Sequence, residues 1–354
     1  MKNKRINTDL PLKFDVHSKE KNKFKKNQLF LLEKIKENKE ILKSLINQHV
    51  FSCNQFDRDI LLQLFRLSIL HELYPEKFIN ILNDKILISA FYEPSTRTRL
   101  SFESCWNRLG GNVISITDVK TTGIGKGESY SDIATMMNNY GDCVVLRDAD
   151  FSVIIKMMGV SNIPIINAGN GLYEHPTQAL ADLYAIFKWR PDLIEKEVEN
   201  PIHLCLIGVP SRMRTVRSLL KLLANFPSAF NKITIIVNIH ETNIFSDHQY
   251  EELTEKGLKI EVKNDLNTVL PKADLIYINT ITWEDDSMKE YGANFKLSIE
   301  SPLKKGAKIM HPLARKGELS IDLDHTSYNH YFVQAKGAVS VRCALLSCVM
   351  NVAF

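Results

Sequence analysis

The chain has 354 residues, of which 44% are hydrophobic and 24% are charged. This balance gives enough apolar material for two domains of roughly 100–200 residues and excludes a mostly disordered chain. No apolar run approaches the roughly 20 residues of a membrane-spanning helix, and no secretory signal is visible at the start. We therefore expect a cytoplasmic protein that does not bind membranes.

Positive charge is concentrated at the start of the sequence. Residues 1–47 contain thirteen Lys and Arg against six Asp and Glu, a net charge of +7, which leaves about −3 for the rest. The first 25 residues predict a flexible arm, and apolar residues at helical spacing predict an amphipathic helix from Leu29 to Leu45. A basic arm could touch nucleic acid or a membrane surface, but solvation or packing on the body is commoner. We predict no nucleic-acid partner and treat residues 1–47 as an N-terminal extension.

From residue 48 onward, short apolar runs alternate with helical patterns. The predicted strands are residues 85–92, 112–116, 143–146, 164–167, 203–208, 233–237, 275–278 and 307–310, and the predicted helices include residues 96–109, 176–189 and 216–223. This alternation predicts the α/β class with parallel sheets, here two doubly wound parallel-sheet domains joined by helices. Such sheets bind ligands at the carboxyl ends of their strands. The six cysteines lack metal-site spacing, so we predict buried, reduced thiols and no metal centre.

The strongest motif, Phe91–Arg99, follows a predicted strand and opens a helix. Ser95 fits the N-cap position, which leaves the backbone N–H groups of the first turn for an anion above the strand. Thr96 and Thr98 add hydroxyl donors, and Arg97 adds a guanidinium suited to phosphate. An ordinary capped helix explains Ser95 but not five donor side chains in five residues. The motif therefore predicts a phosphate site.

Other polar groups lie at predicted turns. His175-Pro-Thr-Gln178 opens a helix, where a neutral histidine can donate to a carbonyl oxygen, although a histidine that only caps the helix also fits. Lys126 lies in a glycine-rich segment and Arg147 ends a predicted strand, and each alone is most often simply solvated. His311-Pro-Leu-Ala-Arg315 follows another predicted strand. The turn at Gly208 lacks the three-glycine pattern of a dinucleotide site.

In combination, these motifs resemble the aspartate/ornithine carbamoyltransferase family. Ser95–Arg99, Lys126–Glu128, His175–Gln178 and His311–Arg315 occur in the family's order and at its spacing. His-Pro-Thr-Gln and His-Pro-Leu are similar to the aspartate side of the family. The resemblance covers about residues 48–354 and omits the basic extension.

The resemblance implies both a domain division and a reaction. Residues 48–177 would bind carbamoyl phosphate, a C-terminal helix at 335–354 would return to that domain, and residues 178–334 would bind the amino acceptor. The enzyme would move the carbamoyl group to an acceptor amine, with L-aspartate of pyrimidine synthesis as the main candidate. The reaction requires no cofactor, metal or protein nucleophile. A homotrimer with active sites shared between subunits is also implied.

The resemblance also assigns residues to the site. Carbamoyl phosphate would be bound by Ser95, Thr96, Arg97, Thr98, Thr122, Lys126, Arg147, His175, Gln178, Pro312 and Leu313, of which Arg97, Thr98, Lys126, Arg147 and His175 would be catalytic. Thr98, Arg147 and His175 would polarise the carbamoyl oxygen. Thr122 and Lys126 would come from a neighbouring subunit. Gln178, with the backbone carbonyls of Pro312 and Leu313, would hold the carbamoyl amide.

The acceptor side departs from the family pattern. Arg214 matches the arginine that binds the α-carboxylate of aspartate. Thr280 and Thr282, however, stand where the family has an arginine and a glutamine for the second carboxylate, and Glu284, which would orient that arginine, is retained. A lost hydrogen bond to a charged group typically costs about 1.5–3 kcal/mol, so we expect weaker aspartate binding unless another cation substitutes.

Arg212 and Arg217 are extra arginines that could supply this cation, unless they are solvent-facing charges at a helix start. Ala314 replaces a proline that follows a cis bond in relatives, so we expect this loop to differ in conformation. Three hypotheses stay open. The chain is an aspartate carbamoyltransferase with a rearranged acceptor pocket, a carbamoyltransferase for an amine without the β-carboxylate, or a non-catalytic member that binds a phosphate ligand.

Overall fold

Two all-parallel sheets, one in each half of the chain, confirm the predicted fold class. The computed structural model describes residues 18–280 and 295–353, with side chains from residue 22 onward. The strands are β1 (Ile86–Phe91), β2 (Asn112–Ile116), β3 (Cys143–Asp148), β4 (Ile165–Asn170), β5 (Ile202–Ile207), β6 (Phe230–Ile236), β7 (Ile260–Lys263), β8 (Leu275–Ile278) and β9 (Lys308–Met310). Their spatial order is β2-β1-β3-β4 in the first sheet and β7-β6-β5-β8-β9 in the second.

Helices cover the two sheets. The described α-helices are α1 (Ser18–Lys34), α2 (Lys39–Leu42), α3 (Arg58–Leu73), α4 (Thr96–Arg108), α5 (Tyr130–Met137), α6 (Phe151–Met158), α7 (Pro176–Trp189), α8 (Arg214–Leu223), α9 (Gln249–Glu255), α10 (Leu266–Val269) and α11 (Tyr331–Val349). Every residue of β3, β4 and β5 is buried, which agrees with parallel strands that are covered on both faces.

The strand order places a switch point in each sheet. In the first sheet the chain passes from β1 to β2 on one side and then to β3 on the other, so the direction reverses between β1 and β3. In the second sheet it reverses between β5 and β8. A crevice for ligands opens at the carboxyl ends of strands at such points. Arg147 lies near the carboxyl end of β3, and the segments after β1, β5 and β8 carry Arg97, Arg214 and Thr280 respectively, so the predicted site residues border both crevices.

Helix α11 returns from the second half to the first. It packs on α3, α4 and α7. Its length and hydropathy would allow it to cross a membrane, but 67% of its apolar stretch is buried inside the protein, as in a core helix.

All six cysteines are buried and free, as predicted, and Cys105 of α4 contacts Cys343 of α11 at 2.8 Å between sulfurs. The predicted domain boundary between residues 177 and 178 stays a proposal. It falls at the start of α7, which follows β4 and precedes β5 in the chain.

The N-terminal extension differs from its prediction. Helix α1 begins at Ser18, so the flexible arm cannot reach residue 25, and the single helix predicted for residues 29–45 is interrupted after Lys34. Arg66 of α3 donates to the carbonyl of Leu32 at 2.6 Å and to that of Ile35 at 3.2 Å, which satisfies the carbonyl end of α1. Leu31 is buried, so α1 belongs to the body of the protein.

Candidate active site

The turn between β1 and α4 presents an open helix N-terminus. Ser95 is the N-cap residue, yet its side chain makes no hydrogen bond to the described residues of the first turn. The first N–H groups of α4 therefore keep their partial positive charge for another acceptor. Thr98 is buried in this turn, Ser95 is half-buried, and Thr96 and Arg97 are exposed. The four predicted phosphate-binding residues thus lie together, as a bound anion requires.

Three other predicted side chains converge on Gly169 in β4. A Cβ atom placed on this glycine would lie 3.2 Å from Arg147 Nη1, 3.2 Å from His175 Cδ2 and 3.4 Å from Arg214 Cζ. Its φ of +108° also favours glycine over any other residue. The position therefore lets two guanidinium groups and an imidazole approach one point. Arg214 belongs to the second half of the chain, so this point joins the two crevices.

Glu93, which the sequence analysis did not single out, pairs with both of these arginines. Its Oε1 accepts from Arg147 Nη2 at 2.7 Å and from Arg214 Nη2 at 3.2 Å, and its Oε2 accepts from Arg214 Nη1 at 3.2 Å. Burial alone would raise the pKa of Glu93, but Arg214 and Arg147 hold it below its usual value. An ionised Glu93 therefore links the end of β3 to the start of α8.

Arg147 keeps donors for a ligand. Its Nη1 lies 3.4 Å from the carbonyl of Ala168, and its Nε is buried without a hydrogen-bond partner among the described residues. Burial and the charge of Arg214 lower the pKa of Arg147, while Glu93 opposes the shift. A buried donor left unpaired costs about 1–3 kcal/mol, so a ligand oxygen is the expected partner.

His175 is held at the start of α7. Its backbone N–H donates to Ser218 Oγ at 2.9 Å, and its Nδ1 lies 3.5 Å from Thr177 Oγ1. Burial, followed by the charges of Arg214 and Arg147, lowers the pKa of His175 well below its usual value. The ring is therefore neutral at physiological pH and has one N–H to donate, as the predicted role requires.

The loop after β9 is fixed by its first residue. The N–H of Leu313 donates to His311 Nδ1 at 2.7 Å, and His311 Nε2 lies 2.8 Å from Glu318 Oε1. Burial would raise the pKa of Glu318, but hydrogen bonds from His311 and from backbone N–H groups lower it to about 2. The Leu313–Ala314 peptide bond is cis, so the expectation of a different conformation was wrong at this bond. Pro312 and Leu313 are both half-buried.

Thr122 and Lys126 lie in a separate surface loop. The hydroxyl of Thr122 donates to the carbonyl of Val119 at 2.6 Å, within the loop itself. Lys126 is exposed at the end of a short 3₁₀ turn, Gly123–Lys126. Among the described residues of the chain, neither side chain hydrogen-bonds to the groups around Gly169. The structure thus does not join these two predicted residues to the rest of the site within one chain.

On the acceptor side, Thr280 contacts the loop after β9. Its hydroxyl lies 2.6 Å from the carbonyl of Ala314 and 3.2 Å from Glu318 Oε1. Thr282 and Glu284 lie outside the described residues. The two extra arginines have partners of their own. Arg212 is exposed and lies 3.2 Å from Glu241, while Arg217 is buried and donates to the carbonyl of Ser211, so Arg217 is not the solvent-facing charge that one hypothesis allowed.

Both halves of the chain match known protein families. Residues 48–188 match the family model of the aspartate/ornithine carbamoyltransferase carbamoyl-P binding domain, and residues 200–349 match that of the Asp/Orn binding domain. The aspartate carbamoyltransferase catalytic subunit of Picrophilus torridus is 34% identical over 317 residues, which cover 87% of this chain and 99% of that protein. That of Chromobacterium violaceum is 34% identical over 277 residues, covering 77% and 88%.

Solved structures give the same relation. Aspartate transcarbamoylase from Trypanosoma cruzi in complex with aspartate and phosphate has a TM-score of 0.77 at 30% identity, covering 87% of this chain and 97% of that chain. The complex with carbamoyl aspartate and phosphate has a TM-score of 0.78 at 29% identity, with the same coverage. The chain belongs to the aspartate/ornithine carbamoyltransferase family.

Proposed function

We propose that this protein transfers the carbamoyl group of carbamoyl phosphate to the amino group of L-aspartate, giving N-carbamoyl-L-aspartate and phosphate. The observation that carries the proposal is the convergence of Arg147, His175 and Arg214 on Gly169, at the carboxyl ends of both sheets. The similar proteins from Picrophilus torridus and Chromobacterium violaceum are named for this reaction. The Trypanosoma cruzi enzyme binds carbamoyl phosphate and aspartate in one complex.

The donor side supplies electrostatic stabilisation. When the uncharged amine attacks the carbonyl carbon, negative charge develops on the carbonyl oxygen. Hydrogen bonds from Thr98, Arg147 and neutral His175 would stabilise that charge, each contributing about 2.7–4 kcal/mol when preorganised. The start of α4 and Arg97 would hold the departing phosphate. A phosphate oxygen can accept the proton that the amine loses, so the chain needs no separate base.

The acceptor side supports a second candidate. Arg214 offers a guanidinium to one carboxylate, whereas Thr280 offers a hydroxyl that already lies 2.6 Å from the carbonyl of Ala314. Thr280 itself carries no positive charge that could bind a second carboxylate. An amino compound that keeps the α-carboxylate but lacks the β-carboxylate is therefore the alternative acceptor. A non-catalytic role is less well supported, because the donor-side residues are retained, apart from Thr122, which keeps a hydroxyl where the family usually has serine.

A phosphate-release assay with a panel of amines tests the function. We expect phosphate release with carbamoyl phosphate and L-aspartate, and none with Arg97→Ala, which removes a side chain that binds the phosphate.

A Thr280→Arg variant should raise kcat/KM for aspartate by about tenfold or more, the effect of one added charge-assisted hydrogen bond. L-Alanine is the matched acceptor without the second carboxylate. Turnover of alanine but not aspartate would replace the main proposal with the alternative, and no turnover of any amine would contradict both.

We also propose that the protein acts as a cytoplasmic homotrimer in which the loop of Thr122 and Lys126 completes the site of a neighbouring copy. The exposure of Lys126 and the family resemblance support this arrangement. If Thr122 and Lys126 act only across an interface, the site of a single chain is incomplete without a neighbouring copy. Cyclic assemblies provide such interfaces between identical chains.

Mixing two inactive variants tests the shared site. Lys126→Ala and Arg97→Ala should each be inactive alone. After dissociation and reassembly of an equal mixture, about a quarter of the interfaces should combine an intact Arg97 with an intact Lys126 and regain activity, as random assembly of a cyclic oligomer requires. Reassembly of each variant by itself is the control. A mixture that stays inactive although light scattering shows trimers would mean that the loop serves its own chain.

A further inference from the structure

A buried carboxylate connects both groups that would hold the carbamoyl amide. Asp182 of α7 is fully buried. Its Oδ1 accepts from Gln178 Nε2 at 2.7 Å and from Gln334 Nε2 at 2.6 Å, and its Oδ2 accepts from the hydroxyl of Tyr277 at 2.8 Å. These donors come from α7, α11 and β8. One carboxylate therefore contacts three elements that border the site.

The chemistry of the carboxylate fixes which way each amide points. An ionised carboxylate only accepts hydrogen bonds, so both glutamines must turn their NH₂ groups toward it. Burial raises the pKa of Asp182 to about 6, against the three donors and Arg342, so the group is ionised at pH 7.5. The carbonyl oxygens of Gln178 and Gln334 must then face away from Asp182.

Gln334 shows the result of this constraint. Its Oε1 accepts the backbone N–H of His311 at 2.9 Å, and a backbone N–H can only donate. The orientation of the Gln334 amide is thus set independently at both ends. His311 opens the loop that carries Pro312 and Leu313, so Asp182 also fixes the start of that loop.

We propose that Asp182 is a positioning residue that makes the site select a donor with an amide NH₂, such as carbamoyl phosphate, over an acyl phosphate with a methyl group in its place. The proposal rests on the proposed function. With its own NH₂ held by Asp182, Gln178 presents a carbonyl oxygen that accepts from the carbamoyl NH₂. A methyl group cannot donate this hydrogen bond, so the acceptor atoms would be left unpaired. Without Asp182 the Gln178 amide can rotate and present its NH₂ instead.

Two stable phosphonates measure the selection without any acceptor or turnover. Phosphonoacetamide carries the amide NH₂, and acetonylphosphonate carries a methyl group at the same place. Calorimetry should show that the wild type prefers phosphonoacetamide. Asp182→Ala should lower this preference by about tenfold or more, the scale of a lost hydrogen bond to a buried group. Acetonylphosphonate should bind Asp182→Ala as it binds the wild type, which a general loss of structure would not allow.

A double-mutant cycle tests whether Asp182 acts through Gln178. In a Gln178→Ala background, Asp182→Ala should lower the preference by a clearly smaller factor than in the wild type, because one of the two amides that it orients is absent. Tyr277→Phe is the matched control. It removes the contact to Oδ2 and leaves both amides on Oδ1, so the preference should stay within about twofold of the wild type. A folded Asp182→Ala protein with the wild-type preference would overturn the proposal, as would full additivity in the cycle.

Asp182→Asn decides the matter if Asp182→Ala does not fold. Asparagine has nearly the same shape, but its single oxygen can face the two glutamines or the hydroxyl of Tyr277, and its NH₂ takes the other side. Part of the population therefore misorients Gln178, and the preference should fall by about threefold or more. An unchanged preference overturns the proposal, as does a wild type that binds the two phosphonates equally. If the preference behaves as expected while no amine is carbamoylated, the selection stands and the proposed reaction is wrong.

Discussion

Arg147→Ala is expected to lower kcat by about 10²–10³-fold, the typical effect of removing one preorganised donor from a developing oxyanion. The guanidinium of Arg147 lies in the group that converges on Gly169, and its Nε is a buried donor without a partner among the described residues. Steady-state kinetics with carbamoyl phosphate and the accepted amine measure the effect. The acceptor KM should change by only a few-fold, because Arg214 stays in place.

Arg147→Lys is the control that separates charge from geometry. Lysine keeps the positive charge but has all its donors on one nitrogen, so it does not reproduce the planar fork by which the guanidinium reaches Glu93 and the substrate oxygen from different nitrogens. We expect its kcat to lie close to that of Arg147→Ala. A kcat within about tenfold of the wild type in the folded alanine variant would show that Arg147 does not stabilise the transition state.

Glu93→Ala should lower kcat/KM by about 10²–10⁴-fold, because two charge-assisted pairs of about 1.5–3 kcal/mol each are lost. Without the carboxylate, two guanidinium groups would face each other near Gly169, and mutual repulsion would move them apart. Arg147 should lose its position, which lowers kcat, and Arg214 should lose its position, which raises the acceptor KM. The joint change of both constants identifies Glu93 as the common partner.

A matched variant shows whether the loss is local. Glu72 pairs with Lys188 at 2.7 Å in a similarly buried setting away from Gly169. Glu72→Ala should lower the melting temperature, since a buried cation loses its partner, while both kinetic constants stay near those of the wild type. If Glu93→Ala changes only the melting temperature in the same way, the carboxylate has a structural role and does not position the two arginines.

The sequence predicted the parts of the fold that depend on local pattern. Several buried strands were visible as short apolar runs. Helix α7 begins and ends at the predicted residues, and Pro176 fixes its start. The phosphate site stays a prediction, which the sequence allowed because its donors are contiguous, from Ser95 to Thr98. The α/β class and both crevices follow from the alternation of strands and helices. Those features need no knowledge of contacts between distant residues.

Features that depend on distant contacts were missed. Glu93 is one acidic residue in a turn, and it acquires a role only through Arg147 and Arg214, 54 and 121 positions later. Asp182 was a stronger signal, because a single acid within the apolar helix α7 must find donors when it is buried. The break after Lys34 depends on Arg66 of another helix, which no periodicity could show.

The position of α11 after the second sheet has a consequence for synthesis on the ribosome. The helix supplies part of the core around α3 and α4, more than two hundred residues after those helices, so the carbamoyl-phosphate half closes through contacts of high sequence separation. Such contacts form slowly, because a long loop must be ordered before they can stabilise it. The half translated first therefore acquires its complete core only after α11 has been made, and until then its apolar surface is available to chaperones.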